Sequence, residues 1–172
     1  MNAVALPPSD EVSVLANAFT KWIENSASDT LSAREAPVFS VRNSTATLDA
    51  YRASKLIRAG LRAGRIDELV GLFGLRKKED LVTELNATGT SLWRWAKDDK
   101  SLPGSTIEQI LRAMQLQLFA VDVFGNTASA RSWLHKPHPS LDGVAPSVYA
   151  DNEFGAQKVR GMLAGLKYGG VV

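Results

Sequence analysis

Helical periodicity runs from about Thr47 to the C-terminal end of the chain, and it limits the possible folds more than any other feature. Apolar residues recur three and four positions apart, which is the spacing of one face of an α-helix. The extended β-branched alternation that is typical of strands is absent, so the predicted fold class is all-α. Helices are predicted at about 48–63, 66–73, 77–86, 90–97, 105–123, 127–134, 146–150 and 153–167.

Several predicted helix ends carry recognisable signals. Ser105 followed by Glu108 matches a capping box at the start of the longest helix. Gly125 is a C-terminal stop signal for that helix, and Asn126 or Thr127 is suited to cap the next one.

Residues 1–50 are predicted to form an arm rather than part of the core. Residues 25–47, "NSASDTLSAREAPVFSVRNSTAT", are rich in Ser, Thr and Ala without a sustained period, which indicates a linker or disorder. The preceding stretch, "SDEVSVLANAFTKWIEN", predicts one amphipathic helix that needs a covering surface, either its own domain or a second subunit. Its cap would be Ser9 or Asp10, and its apolar face consists of Val12, Leu15, Phe19 and Trp22.

Composition narrows the function classes. The chain has no cysteine, which excludes disulfides, a thiol nucleophile and Cys-ligated zinc, and which fits a cytoplasmic protein. No apolar run approaches the ~18 residues of a membrane span, and the N-terminus lacks the pattern of a signal peptide. Residues 51–102 carry 11 basic and 7 acidic groups, a net charge of +4, whereas the chain as a whole carries +2. A polyanion would therefore be attracted to the middle third.

Residues 77–97, "KKEDLVTELNATGTSLWRWAK", have the pattern of two helices joined by a short turn. Asn86 tolerates the left-handed conformation that such a corner often needs, and Thr88 is suited to cap the second helix. The predicted inward residues are Leu81, Val82, Leu85, Leu92, Trp95 and Ala96. The predicted outward residues of the second helix are Thr90, Ser91, Trp93, Arg94 and Lys97.

Two interpretations of this corner remain open. Outward hydroxyl, Arg and Lys side chains are what a helix needs to contact bases and phosphates in the major groove, so Thr90, Ser91, Arg94 and Lys97 are the candidate DNA-binding residues. Asp98 and Asp99 oppose this interpretation because they would lie near the phosphates. The alternative is a plain helical corner in a bundle. A basic row that could follow a phosphate backbone, or form a solvated helix face, consists of Arg52, Lys55, Arg58, Arg62 and Arg65.

Both histidines of the chain fall in one short stretch, "SWLHKPHPSLDG", at residues 132–143. A hydrolase or metal site would use His135, His138 and Asp142, but Pro137 and Pro139 break the helix that this histidine spacing needs. The two prolines also force the residues before them into extended conformations. We therefore expect a braced connection, without metal or cofactor.

The rest of the C-terminal third consists of short helices and turns. Phe124, Trp133 and Leu134 are the apolar residues that could hold a short helix to its neighbours. Asp142-Gly143 is a turn signal, and Pro146 suits the first turn of the next helix. The last helix carries glycine at every fourth position, which favours either close approach of another backbone or fraying of the end. These glycines are Gly161, Gly165 and Gly169.

The order of these features resembles the C-terminal toxin-binding domain of the MbcA/ParS/Xre antitoxin family. The resemblance rests on "VFGN" at 123–126, "WL" at 133–134, the spaced prolines and glycines that follow, and "YG" at 168–169. Residues 81–125 are similar to the Xre-type helix-turn-helix and connecting helix of that family. The resemblance thus covers roughly residues 50–170 and leaves residues 1–50 without a counterpart.

The resemblance implies the antitoxin of a RES–Xre module, whose toxin degrades NAD. The antitoxin covers the active-site mouth of the toxin with its C-terminal region, and it represses its own operon, usually as a dimer. Gly155 is a further position of the pattern, one that shapes the surface. The residues that the resemblance assigns to toxin binding are Trp133, Pro137, Leu141, Gly143, Pro146, Lys167, Tyr168, Gly169, Gly170, Val171 and Val172.

The predicted organisation is an arm over residues 1–47, a helix-turn-helix and dimerisation domain over 48–120, and a toxin-binding domain over 121–172. The expected partners are a RES-type toxin encoded next door, operator DNA and a second copy of the chain; no enzymatic activity is expected. The alternative function is a stand-alone transcription regulator whose C-terminal domain only dimerises.

Overall fold

The long helix α6 lies at the centre of the molecule in the computed structural model, which describes residues 8–27, 38–42, 45–85 and 87–169. Helices α1, α2, α7 and α9 and strand β2 all pack against it. Its buried residues cover more than half of its circumference, as expected of a helix at the centre of a core. The elements are α1 (Pro8–Ser26), β1 (Phe39–Arg42), β2 (Thr45–Leu48), α2 (Ala50–Ala59), α3 (Glu68–Phe73), α4 (Lys78–Glu84), α5 (Gly89–Lys97), α6 (Gly104–Phe124), α7 (Thr127–His135), α8 (Pro146–Tyr149) and α9 (Glu153–Tyr168).

The all-α fold class is confirmed, and most predicted helices begin and end within one or two residues of the observed ones. The predicted helix 48–63 is too long. It ends at Gly60, whose φ of 89° is open to glycine but unfavourable for other residues, and a 3₁₀ turn follows at Ala63–Arg65. No helix in the described ranges is both long enough and apolar enough to cross a membrane.

The two ends of α6 differ in how well they were predicted. Gly125 ends the helix with a φ of 76°, and the Asn126 side chain caps α7 by accepting a hydrogen bond from the N–H of Ser129 at 2.8 Å. The prediction that Ser105 and Glu108 form a capping box is wrong. The Pro103 carbonyl already accepts the N–H of Ile107, so the helix starts at Gly104 and Ser105 lies inside its first turn.

Helix α1 is part of the core, which corrects the prediction of an arm. The predicted apolar face is buried, and it packs on α6, α3 and the β-hairpin of the same chain. The Phe19 ring lies 5.7 Å from that of Phe73 and 6.3 Å from that of Phe39. Trp22 donates its indole N–H to the carbonyl of Arg65 at 2.8 Å. The covering surface is therefore the chain's own domain.

Strands β1 and β2 form a short antiparallel hairpin within the stretch that was predicted to be a linker or disordered. Phe39 pairs with Leu48, and the Ser40 and Thr47 hydroxyls lie 2.9 Å apart across the strands. Val38 and Phe39 are buried against the core. Each strand has only four residues, which is too short to show an alternating pattern in the sequence, and tertiary packing on α1 and α6 supports it instead.

Candidate functional site

The connection between α7 and α8 is a braced loop, as the prolines predicted. Lys136 and His138 have ψ angles of 130°, because a following proline disfavours the helical region. A 3₁₀ turn at Pro139–Leu141 follows, and Asp142 and Gly143 then take φ values of 54° and 77°. Two backbone hydrogen bonds close the loop, from Gly143 N to His138 O and from His138 N to Val144 O.

This loop has an anchored side and a solvent side. Leu141 is fully buried, and Pro146 is buried at the first position of α8, so neither side chain is placed to contact a partner. Pro137 and Gly143 are exposed. Of these predicted toxin-binding residues, Leu141 and Pro146 therefore fix the loop, whereas Pro137 and Gly143 face solvent.

Trp133 connects the loop to the end of α6. Its ring lies 5.7 Å from that of Phe124 and 6.2 Å from that of His138, and it is half-buried against the core. Leu134 is buried beside it. Phe124, Trp133 and Leu134 therefore hold α7 in place, as predicted.

Both histidine rings are hydrogen-bonded within the fold. His135 places Nε2 3.0 Å from Oε2 of Glu84 and Nδ1 2.9 Å from the carbonyl of Arg131. The hydrogen bond to the Glu84 carboxylate raises the pKa of His135, and burial opposes that rise. His138 Nδ1 accepts the N–H of Ser140 at 3.2 Å. Within the described part of the chain, no three histidine, cysteine or carboxylate side chains come together as a metal site requires.

The end of α9 is fixed by an ion pair. Lys167 Nζ lies 2.6 Å from Oδ2 of Asp122, whose side chain is nearly buried on α6. Lys167 thus lies along the molecule, while Tyr168 is exposed and Gly169 ends the helix with a φ of 72°. Gly170, Val171 and Val172 lie outside the described residues.

Gly155 shapes the corner between α8 and α9. A Cβ atom at this position would lie 2.0 Å from the carbonyl oxygen of Tyr149, so only glycine allows the two helices to meet so closely. Asn152 caps α9 by accepting the N–H of Gly155 at 3.1 Å.

Phe154 is an exposed residue that the sequence analysis did not include, and it is 86% exposed. A helical projection of α9 would have found it. Positions 154, 161 and 168 are seven apart and therefore share a side of the helix, opposite the side that carries Val159 and Leu163.

The helix-turn-helix candidates lie on α5, which follows α4 as predicted. Thr90, Arg94 and Lys97 are exposed and Ser91 is half-buried, whereas Leu92 is fully buried. The side chains of Arg94 and Lys97 make no hydrogen bond or ion pair with other described residues.

The details of this corner differ in part from the prediction. Trp93 does not face outward: it is half-buried against the core, and the Lys78 ammonium lies 5.8 Å from its ring. Thr88 stands at the cap position of α5, but its side chain makes no capping hydrogen bond. Asn86 lies outside the described residues.

The acidic end of α5 is neutralised within the fold. Asp99 accepts hydrogen bonds from Arg62 Nε at 2.7 Å and from the N–H of Gly64 at 2.8 Å. The hydrogen bond from Arg62 is the main reason why the pKa of Asp99 lies below its usual value. The hydrogen bond from Gly64 lowers this pKa further. Asp98 pairs with Lys100 at 3.2 Å. The basic row is also engaged, through the pairs Arg52–Asp49, Arg58–Ser54, Arg62–Asp99 and Arg65–Glu68.

Comparison with family models matches residues 119–169 to the antitoxin Xre/MbcA/ParS C-terminal toxin-binding domain. A search of curated proteins finds no match to the chain. The matched segment comprises the end of α6, the braced loop and helices α7, α8 and α9, and the match supports an antitoxin role with a toxin as partner. Residues 119–169 are thus similar to the C-terminal toxin-binding domain of the Xre/MbcA/ParS antitoxins.

Proposed function

We propose that this chain is the antitoxin of a RES–Xre module. It binds a RES-type toxin that degrades NAD, encoded next door, and covers the mouth of the toxin's active site with its C-terminal region. The observation that carries the proposal is the match of residues 119–169 to a toxin-binding domain. The antitoxin acts in the cytoplasm as a homodimer within a larger complex with the toxin, and it needs no cofactor.

A preformed surface supports this function. The braced loop is closed by backbone hydrogen bonds and anchored by Leu141, while Pro137 and Gly143 remain exposed. A surface that is already ordered loses little conformational entropy when a partner binds. Trp133 and Pro146 hold this surface from beneath.

The C-terminal tail is the segment we assign to the active-site mouth. The Lys167–Asp122 pair fixes the last turn of α9, so the sequence after Gly169 starts from a defined point beside Tyr168. Gly170, Val171 and Val172 carry no charged side chain. Two valines buried against the toxin would contribute about 2–5 kcal/mol before ordering costs.

Co-expression with the adjacent gene product tests the proposal. The full chain should restore growth and cellular NAD and should co-purify with that protein. Deletion of residues 170–172 keeps α9 and the Lys167–Asp122 pair, so the shortened chain should still co-purify but should no longer restore NAD.

The matched control is a deletion of residues 1–7, which precede α1 and should leave both readouts unchanged. Full NAD recovery with the 170–172 deletion would exclude the tail as the inhibitory segment. No effect of the full chain on NAD would contradict the proposed function itself.

We also propose that α5 binds operator DNA and that the chain represses its own operon. Thr90, Ser91, Arg94 and Lys97 are grouped on the outer side of α5, with Leu92 on the inner side. Arg94 and Lys97 have no partner among the described side chains, so both charges are available to phosphates or bases. Asp99, already paired with Arg62, opposes a phosphate less than a free carboxylate would.

Replacing Arg94 and Lys97 by alanine should weaken binding to the upstream DNA of the operon. The slope of log K against log salt should fall by about 2, since two phosphate contacts are lost. Fluorescence anisotropy at several salt concentrations measures both quantities. The control replaces Lys136 and Lys158, two exposed lysines elsewhere, by alanine. If this control lost as much affinity for the DNA, net charge alone would account for the binding.

A further inference from the structure

The side of α9 that faces away from the core carries an aromatic residue at each end and a glycine between them. Phe154, Gly161 and Tyr168 are seven residues apart, so they lie along one line of the helix, and we name them the α9 outer face. Val159 and Leu163 are buried on the opposite side. The core is thus complete without the α9 outer face.

The two aromatic residues are far more exposed than folding alone favours. Phe154 is 86% and Tyr168 76% exposed. Fourteen residues of helix separate their Cα atoms by about 21 Å. Exposed aromatic side chains are typical of protein interfaces, where Phe and Tyr are enriched.

Among the described residues, nothing around Gly161 requires a glycine at this position. Its φ lies outside the left-handed region, and a Cβ atom there would meet nothing within 4 Å. In this it differs from Gly155, which lies against the Tyr149 carbonyl, and from Gly169, which needs its positive φ. Glycine weakens a helix relative to alanine, so the bare backbone between the two rings is unexplained by the isolated fold.

From these observations we propose that the α9 outer face is the docking site for the toxin. The two rings enter apolar pockets on the toxin, and the toxin main chain passes over Gly161, where no side chain of α9 stands in the way. This inference rests on the proposed function and assigns a surface to it. The whole α9 outer face falls within residues 119–169, which match a toxin-binding domain.

A second copy of this chain fits the α9 outer face less well than the toxin does. Two aromatic side chains bury about 150–250 Å² each, whereas a stable interface takes about 800 Å² from each partner. The two rings by themselves thus supply only about half of the area that a symmetric interface needs. The match of the segment that carries this face to a toxin-binding domain favours the toxin as the occupant.

The test measures affinity for the purified product of the adjacent gene. Phe154→Ala and Gly161→Leu should each weaken binding by about tenfold or more, as expected of central interface residues. Since position 161 is open, leucine should leave the melting temperature of the free antitoxin unchanged or higher. The matched controls are Tyr51→Ala, at a tyrosine that is also 76% exposed, and Gly71→Leu, at a helical glycine that also has nothing within 4 Å.

The controls should stay within about twofold of the wild type, well short of the effect of an interface anchor. If the wild type binds and neither Phe154→Ala nor Gly161→Leu weakens binding, the α9 outer face is not the docking site. The proposed function would not be affected by that result. No binding by the wild type would overturn both. A shift of the free chain to a smaller oligomer on Phe154→Ala, measured by light scattering, would assign the α9 outer face to self-association instead.

Discussion

His135 reaches from α7 to Glu84 of α4, and this contact makes the stability of the fold depend on pH. The Glu84 side chain is only 8% exposed, and its hydrogen bond raises the pKa of His135. Because the folded-state pKa is the higher one, the stabilisation is complete below the pKa of an unfolded histidine, about 6.5. It is lost as the pH rises through the raised pKa of the folded state.

We expect His135→Gln to destabilise the chain more at a pH of about 6 than at a pH of about 9. More than a third of the His135 side chain is exposed, so solvent screening keeps the difference within about 1 kcal/mol. Urea unfolding at the two pH values measures it. In a Glu84→Gln background the pH-dependent part should vanish, and its persistence would assign the effect to another group.

Single residues were predictable from the sequence where their effect is local. Pro137, Pro139 and Gly125 act on their own backbone and the residue beside them, and their effects were predicted correctly. Trp93 and Lys167 were assigned to the surface, but each has a partner distant in sequence. Lys167 and Asp122 are 45 positions apart in the sequence, and no local signal joins them.

Helix α7 depends on α1 for part of its N-terminal capping. Glu11 Oε2 accepts the N–H of Thr127 at 2.7 Å and its hydroxyl at 2.8 Å, while Asn126 takes the N–H of Ser129. A carboxylate at a helix N-terminus satisfies an unpaired N–H and interacts favourably with the helix dipole. The first helix of the chain therefore stabilises a helix of the toxin-binding segment.

Replacing Glu11 by alanine should lower the free energy of unfolding by about 1–2 kcal/mol, the usual effect of losing a helix cap. Asp10→Ala, at the neighbouring exposed carboxylate, is the control and should change it little. Urea denaturation of both variants provides the comparison. Equal effects of the two substitutions would show that general charge, rather than the contact with Thr127, stabilises the chain.

Helices were predictable at the element scale because their periodicity and stop signals lie within a few residues of each other. The hairpin of β1 and β2 was not, since two strands of four residues form only where α1 and α6 support them. Nor could the sequence show that Glu11 caps a helix 116 residues away. The interpretation of residues 132–143 as a braced loop did follow from the prolines alone.

At the scale of the whole molecule, one hydrophobic core extends from α1 to α9. Val12, Phe19 and Trp22 of α1 belong to it, although the sequence suggested an arm. An amphipathic helix has the same pattern whether it covers its own domain or another subunit, so periodicity could not distinguish the two. The predicted division at residues 120 and 121 stays a prediction, and it falls inside α6.

Deletion of residues 1–27 should abolish cooperative unfolding. It exposes the core surface beneath Phe19 and Trp22, and burial of one such ring alone is worth about 3–5 kcal/mol. Calorimetry and circular dichroism would show the loss of the transition, whereas deletion of residues 1–7 should keep it. A sharp transition in the longer deletion would restore the description of residues 1–50 as an arm.

Because α6 is one continuous helix, it also affects where proteases can cut the native protein. Residues 104–124 form one helix between the α4–α5 corner and the toxin-binding segment, so a protease acting on the native chain finds no linker there to cut. The two halves cannot be released from each other intact at this point. The proposed repression and the proposed neutralisation would then have a single lifetime in the cell, and turnover of the chain would end both together.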